Sequence, residues 1–483
     1  MRLTVKIENA IPRIKELCFD EPVDLSLHAG ESWAFMGPNG AGKTLLSDLM
    51  TGKIALKSGS IDYPQKTEDT PAYKYIKSVA FQDVYSISDY NQMYYQQRWN
   101  SSEIDEFPFV RDLIKSPTNN NKQVSELFAF FNAEHLLDKR IILLSSGELR
   151  KFLIVKTLLD SPRILILDNP YIGLDAPSRD LLNELLGKMA SERDVQIILL
   201  LCNPSDIPSF ITNVLPIKER RLLKPQSRDQ FVDDADFIDK LFPTPAKKEI
   251  LLPLTNISNS NIDYKTTLEM QRIHIQYGAR TILDNLNWTV LKGEKWVLLG
   301  PNGSGKSTLL SLVCADNPQA YANTFYLFDR KRGSGESIWD IKKHIGYVSP
   351  EIHLYYRFDQ TAQDVVGSGF FDSIGLYKKC NDFQLQKALE WMETFKIEHL
   401  KNIPFLKLSS GEQRLVILAR AFVKNPDLLI LDEPLHGLDM SNKALVSEII
   451  SEFCDNENKT MIYVTHYLHE IPACAVFKLR IKN

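Results

Sequence analysis

Two stretches of the chain carry residue types suited to phosphate chemistry. Trp296-Val297-Leu298-Leu299 is an apolar run of strand length, and Gly300-Pro301-Asn302-Gly303-Ser304-Gly305-Lys306-Ser307-Thr308 follows it. This is the G-x-x-x-x-G-K-[ST] spacing of a phosphate-binding loop. Glycines let backbone N–H groups close around the β- and γ-phosphates, Lys306 neutralises charge there, and the Ser307 hydroxyl can ligate Mg²⁺. The helix expected to start at the loop adds its positive dipole end. Trp33-Ala34-Phe35-Met36-Gly37-Pro38-Asn39-Gly40-Ala41-Gly42-Lys43-Thr44 repeats the pattern 263 residues earlier. A structural glycine turn would account for the glycines alone; the preceding strand and the following helix favour phosphate binding.

Three more strings repeat at an offset of 264 residues. Leu144-Ser145-Ser146-Gly147-Glu148 pairs with Leu408-Ser409-Ser410-Gly411-Glu412. Ile164–Leu167, ending on Asp168-Asn169-Pro170, pairs with Leu428–Leu431, ending on Asp432-Glu433-Pro434. Gly173-Leu174-Asp175 pairs with Gly437-Leu438-Asp439. Four strings in one order at nearly one offset indicate two tandem domains rather than a solenoid. The serines read first as helix N-caps, and free amides beyond an N-cap are also an anion site. Runs such as Ile164–Leu167 suit parallel strands covered on both faces. An acid ending such a strand sits where α/β sheets bind ligands.

The elements that must hold these groups are legible in outline. Residues 1–36 alternate apolar and polar, as half-buried antiparallel strands do. Ser78–Phe81, followed by Gln82, and Ile345–Val348, followed by Ser349-Pro350-Glu351, read as equivalent strands. Helical patterns fill 84–143 and 360–400, with an aromatic and polar patch at Tyr94–Asn100. Val195–Leu201 and Met461–Thr465 are buried strands, and a helix is expected over Leu149–Leu159. Prolines and acidic and polar clusters mark a connector, with a short helix near Phe231–Leu241. The expected domains are 1–225, 226–262 and 263–483, with no further domain after the last strand.

The 483 residues suffice for two such cores. A net charge of −4 gives no general pull toward nucleic acid. The six cysteines are scattered, with no C-x-x-C pair to suggest zinc or an iron–sulfur cluster. The N-terminus lacks a signal-peptide pattern and no apolar run reaches membrane-span length, so a cytoplasmic protein, peripheral to a membrane only through a partner, is expected.

A phosphate loop with Leu-Ser-Ser-Gly-Glu just before an acid-ended strand resembles the ATP-binding cassette (ABC) ATPases over nearly the whole chain. The resemblance implies an α/β fold of two P-loop cassettes, each a mainly parallel core sheet with an antiparallel β subdomain and a helical subdomain. It implies ATP and Mg²⁺ as ligands, with Thr44 and Asp168, and Ser307 and Asp432, at the metal. It also implies that the two cassettes pair head to tail within the chain. The Lys43 site would then be closed by Ser409, Ser410 and Gly411, and the Lys306 site by Ser145, Ser146 and Gly147. In the second half Glu433 would orient or deprotonate the attacking water, His466 would contact the γ-phosphate, and Tyr277 would stack on adenine. The expected glutamine is absent there, and Glu351 is its candidate stand-in. In the first half Gln82 is present, but Asn169 stands for the catalytic Glu. Asn203, or Cys202 one residue earlier, stands for the His.

Asn cannot take a proton, so hydrolysis is expected mainly at the Lys306 site. The bland alternative is a silent, drifting first site. Arg332–Ser349, with Gly333-Ser334-Gly335-Glu336-Ser337-Ile338-Trp339, further resembles bacterial double-cassette ABC proteins associated with molybdenum transport. That resemblance implies the energising subunit of an importer, docked on an integral membrane permease through 84–143 and 350–405 and served indirectly by a substrate-binding protein. The alternatives are a soluble ABC ATPase acting on ribosomes or another large assembly, and a regulatory module with little hydrolysis. The near-neutral, proline-broken connector counts against the former. Glu433 with His466 counts against the latter.

Overall fold

The computed structural model describes residues 2–67, 71–80, 107–114, 121–144, 146–192, 195–243, 250, 252–253, 263–277, 280–301, 303–350, 352, 356, 359–360, 361–455 and 458–481. Gln82, the Tyr94–Asn100 patch, Ser145, Asn302 and Glu351 lie outside them. The chain separates into two compact units, mainly Met1–Pro245 and mainly Ala246–Asn483. Each is α/β.

In the first unit, Val23–His28, Leu3–Pro12 and Leu56–Asp62 form an antiparallel sheet; the alternation of residues 1–36 predicts the first two, whereas Trp33–Met36 in the same stretch is fully buried and joins the parallel core sheet. The core sheet runs parallel through Ile76–Ala80, Ile164–Asp168, Gln196–Leu201, Trp33–Met36 and Asn213–Lys218. Gln226–Ser227 adds an antiparallel edge to Asn213–Lys218. Inner strands such as Gln196–Leu201 are buried at every position, because helices cover both faces of a parallel sheet. The helix read near Phe231–Leu241 is two short ones, Arg228–Asp233 and Ala235–Leu241. Ser227 caps the first and Asp234 the second.

The second unit repeats the plan. Arg280–Leu291, Thr266–Tyr277, Thr324–Leu327 and Arg330–Lys331 form an antiparallel sheet. The core sheet has the order Ile345–Val348, Leu428–Asp432, Thr460–Val464, Lys295–Leu299, Phe477–Arg480, all parallel. Beside it, the helices Asp382–Thr394, Ser410–Phe422 and Met440–Cys454 are joined by an aromatic cluster. Trp391 and Phe422 lie 5.2 Å apart and Phe422 and Phe453 5.4 Å apart between ring centres.

The tryptophans that open both phosphate-loop strands have a structural task. Trp33 Nε1–H donates to Glu31 at 3.0 Å and Trp296 Nε1–H to Glu294 at 2.8 Å. The same carboxylates accept from the His28 and Leu291 amides, tying each antiparallel sheet to the core strand.

Candidate functional site

Each phosphate loop turns from its strand into a helix, Lys43–Met50 and Lys306–Val313. The turn passes through a left-handed glycine, Gly42 at φ 105° and Gly305 at φ 94°. Side chains with a Cβ are strained there. Gly37 is required by contact instead: a Cβ would stand 2.1 Å from the Ile217 carbonyl oxygen. Both lysines fold over their own loops. Lys43 Nζ donates to the Gly37 and Pro38 carbonyls at 2.8 Å, and Lys306 Nζ to Gly300 and Pro301 at 2.7 and 2.8 Å. Burial pushes the Lys43 ammonium below its ordinary pKa. The loop lysine thus sits poised in a largely desolvated cradle, where an added phosphate charge interacts strongly.

Thr44 Oγ1 donates to Asp168 Oδ2 at 2.7 Å, bringing a hydroxyl and a carboxylate to one point. Oxygen donors of this kind fit Mg²⁺, which keeps most of its ligands from water and phosphate. Ser307 and Asp432 occupy the equivalent positions of the second unit. Thr44 with Asp168, and Ser307 with Asp432, would hold the ion, which would supply positive charge against the phosphates.

Past each acid the backbone turns left-handed, with Asn169 at φ 47° and Glu433 at φ 49°. Asn tolerates this region; for Glu it is uncommon and held only by its surroundings. Glu433 is 9% exposed, and both its oxygens are bonded. His466 Nε2 lies 3.0 Å from Oε1 and His436 Nδ1 2.5 Å from Oε2. Burial alone would push this carboxyl up; the two imidazoles outweigh it and hold it well below the usual carboxylate range. A carboxylate kept ionised against an imidazole can orient and deprotonate water.

The first unit differs at each of these points. Its strand register pairs Asp168 with Leu200, as Asp432 pairs with Val464. Two residues on, Cys202 therefore matches His466, which corrects the Asn203 expectation. Cys202 Sγ lies 3.7 Å from Asn169 Oδ1, while Asn203 accepts from Ser205 N as an N-cap. Asn169 Nδ2 donates to Asp168 at 3.1 Å.

The helices after the signatures are Ser146–Leu158 and Ser410–Phe422. The first begins three residues before the expected Leu149, because the Ser-Gly pair lies inside its opening turn. Ser409 forms a capping box with Glu412: Ser409 N–H donates to the carboxylate at 2.8 Å and Glu412 N–H to the hydroxyl at 3.4 Å. Tyr277 ends the strand Thr266–Tyr277 and its hydroxyl accepts from Asn317 Nδ2 at 3.0 Å.

Sequence reasoning missed two groups. His436 is one. The other is a buried arginine two residues past each signature Glu. Arg414 donates to the carbonyls of Ser349 at 2.7 Å, Asp432 at 3.0 Å and Glu433 at 2.5 Å. Arg150 donates to those of Asn169, at 3.1 Å, and Pro170. Burial pushes the guanidinium of Arg414 down to about 10 and that of Arg150 to about 9. These arginines fix the backbone that presents the strand-end acid. Their repetition at the 264-residue offset was the available signal.

The ABC transporter family profile matches residues 21–172 and 283–436, both units with their loops, signatures and strand-end acids. The chain belongs to that family. As an ABC ATPase it binds ATP with Mg²⁺ and hydrolyses it. It is 35% identical to the ABC transporter ATP-binding protein ModF of Escherichia coli K12, over 94% of this chain and 92% of that protein. It is 29% identical to an uncharacterized ABC transporter ATP-binding protein of Schizosaccharomyces pombe, over 99% and 97%. Among solved structures, the complex of archaeal ribosomal stalk protein aP1 and archaeal ribosome recycling factor aABCE1 aligns with a TM-score of 0.53. The identity is 17%, over 98% of this chain and 87% of the other, and shows a shared fold. Among the described residues no helix is long and apolar enough to cross a membrane.

Proposed function

We propose that this tandem ABC ATPase hydrolyses ATP mainly at the Lys306 site and uses the cycle to energise an importer, with molybdate as the cargo. The observation that carries the asymmetry is the Glu433 carboxylate 3.0 Å from His466, where the first unit has Asn169 beside Cys202. In this reading Lys306 and Ser307 hold the phosphates and metal, Asp432 assists the metal, and Glu433 activates water. His466 leaves Glu433 for the γ-phosphate. The first unit binds ATP through Lys43, Thr44 and Asp168 and turns over slowly. Loss of a general base costs about 10²–10⁴-fold in rate. The transport assignment rests on the 35% identity to ModF over nearly the whole chain. Cargo would pass through membrane subunits, since neither unit presents a membrane span among its described residues.

Affinity capture of Glu433→Gln protein with ATP from its native cell tests both parts. Recovery of an integral membrane permease, with molybdate uptake lost in a deletion strain, is the expected result. Recovery of ribosomes or another soluble assembly without a permease would replace the transport reading with mechanical work on that assembly.

A further inference from the structure

We propose that His436 is a positioning residue for hydrolysis: it holds Oε2 of Glu433 so that Oε1 alone is passed between His466 and the attacking water. The inference rests on the reading of Glu433 as the hydrolytic carboxylate.

The geometry divides the carboxylate between two imidazoles. His436 Nδ1 holds Oε2 at 2.5 Å and His466 Nε2 holds Oε1 at 3.0 Å, and all three side chains are about nine-tenths buried. A water-activating carboxylate needs one oxygen available and its plane fixed. When His466 turns to phosphate, Oε1 is released; without a second anchor the carboxylate would then rotate about its last torsion, which is broad for Glu. His436 supplies that anchor. It lies three residues on, in the turn closed by its own N–H donating to the Glu433 carbonyl at 3.2 Å.

The ring is itself braced. Tyr467 packs edge-on against it at 5.9 Å, and His469 packs against Tyr467 at 5.7 Å. Lys443 lies over the Tyr467 ring at 6.0 Å and is bonded to Glu470 at 2.7 Å. Tyr467 N–H donates to Thr465 Oγ1 at 3.0 Å. The segment that carries His466 therefore also supports the histidine that must stay.

The first unit separates this role from turn architecture. The residue 264 positions before His436 is Ile172. Its N–H makes the same turn to the Asn169 carbonyl, at 3.4 Å. The turn forms without a histidine; the histidine accompanies the glutamate.

The test compares His436→Leu and His436→Asn in the full chain, each alone and combined with Glu433→Gln. Asn places an amide N–H near the position of Nδ1. Misplacing a reacting group by about 1 Å costs on the order of 10²-fold. His436→Leu should lower kcat about 10–100-fold with KM and ATP affinity nearly unchanged, and His436→Asn should recover most of that loss. In single-turnover assays on Glu433→Gln, adding His436→Leu should cost nothing further, because residues acting as a unit are non-additive. Three results would overturn the proposal: kcat of His436→Leu within about twofold of wild type; equal loss in both variants with weakened ATP binding; or an undiminished His436→Leu loss on Glu433→Gln. Full activity of Glu433→Gln alone would instead remove the catalytic reading of Glu433.

Discussion

At the scale of single residues, the two units differ in what can accept a proton. Glu433 is ionised, buried and bonded by two imidazoles, whereas Asn169 has an amide whose oxygen faces the weak thiol donor of Cys202 and whose nitrogen donates to Asp168. Glu433→Gln should lower steady-state hydrolysis about 10²–10⁴-fold, as loss of a general base does. Asn169→Gln should stay within about twofold of wild type. A phosphate-release assay on both reads this directly, and the reverse order would show that the asymmetry runs the other way. Chelating Mg²⁺ should abolish hydrolysis at both sites, since in the proposed reading Thr44 and Ser307 meet phosphate only through the ion. Of this scale the sequence showed Glu433, His466, Asn169 and both lysines. It left Cys202 and Asn203 open, because a loop after a strand has no intrinsic register until neighbouring strands pair. It missed His436 because a lone histidine near an acid has no pattern to distinguish it from a surface residue.

At the scale of elements, the signature serine is a cap. Ser409 and Glu412 satisfy each other's amides at the start of the Ser410–Phe422 helix. Ser409→Ala should cost about 1 kcal/mol, as loss of an N-cap does. For a unit of this size that lowers Tm by about 2–4 °C by calorimetry. Arg414 has a larger part. Its replacement by Met would remove the guanidinium donor from the buried carbonyls of Ser349, Asp432, Glu433 and Pro434, of which that of Glu433 keeps the His436 N–H; each one left unsatisfied costs about 1–3 kcal/mol. Denaturant unfolding should show a loss of several kcal/mol, well above that of Ser409→Ala, and the neighbouring Glu433 backbone should lose its amide-exchange protection. Helices, strands and caps were legible because their signals are local in sequence. The arginine's partners lie 18 to 65 residues away, and no local pattern encodes such distances.

At the scale of the whole molecule, two units of one plan each carry a phosphate loop, a metal-type hydroxyl and acid, and a buried core of their own. Glu433→Gln protein should therefore bind two ATP per chain in equilibrium dialysis. Lys43→Ala on that background should bind one with near-normal affinity. A single equivalent on the unaltered loops would mean that one loop does not bind. By itself the sequence determined the duplicated α/β cassette, the phosphate loops and the inequality of the residues that follow the strand-end acids, Asn169 against Glu433. Each is a matter of residue type at fixed spacing along the chain, and an internal repeat is visible without folding. Only the tertiary structure decided that Cys202 faces Asn169, that Arg414 holds the Asp432–Glu433 backbone, and that His436 takes one oxygen of Glu433. These depend on strand register, on burial and on which side chains a turn aims at each other, and such geometry exists only once distant segments have packed.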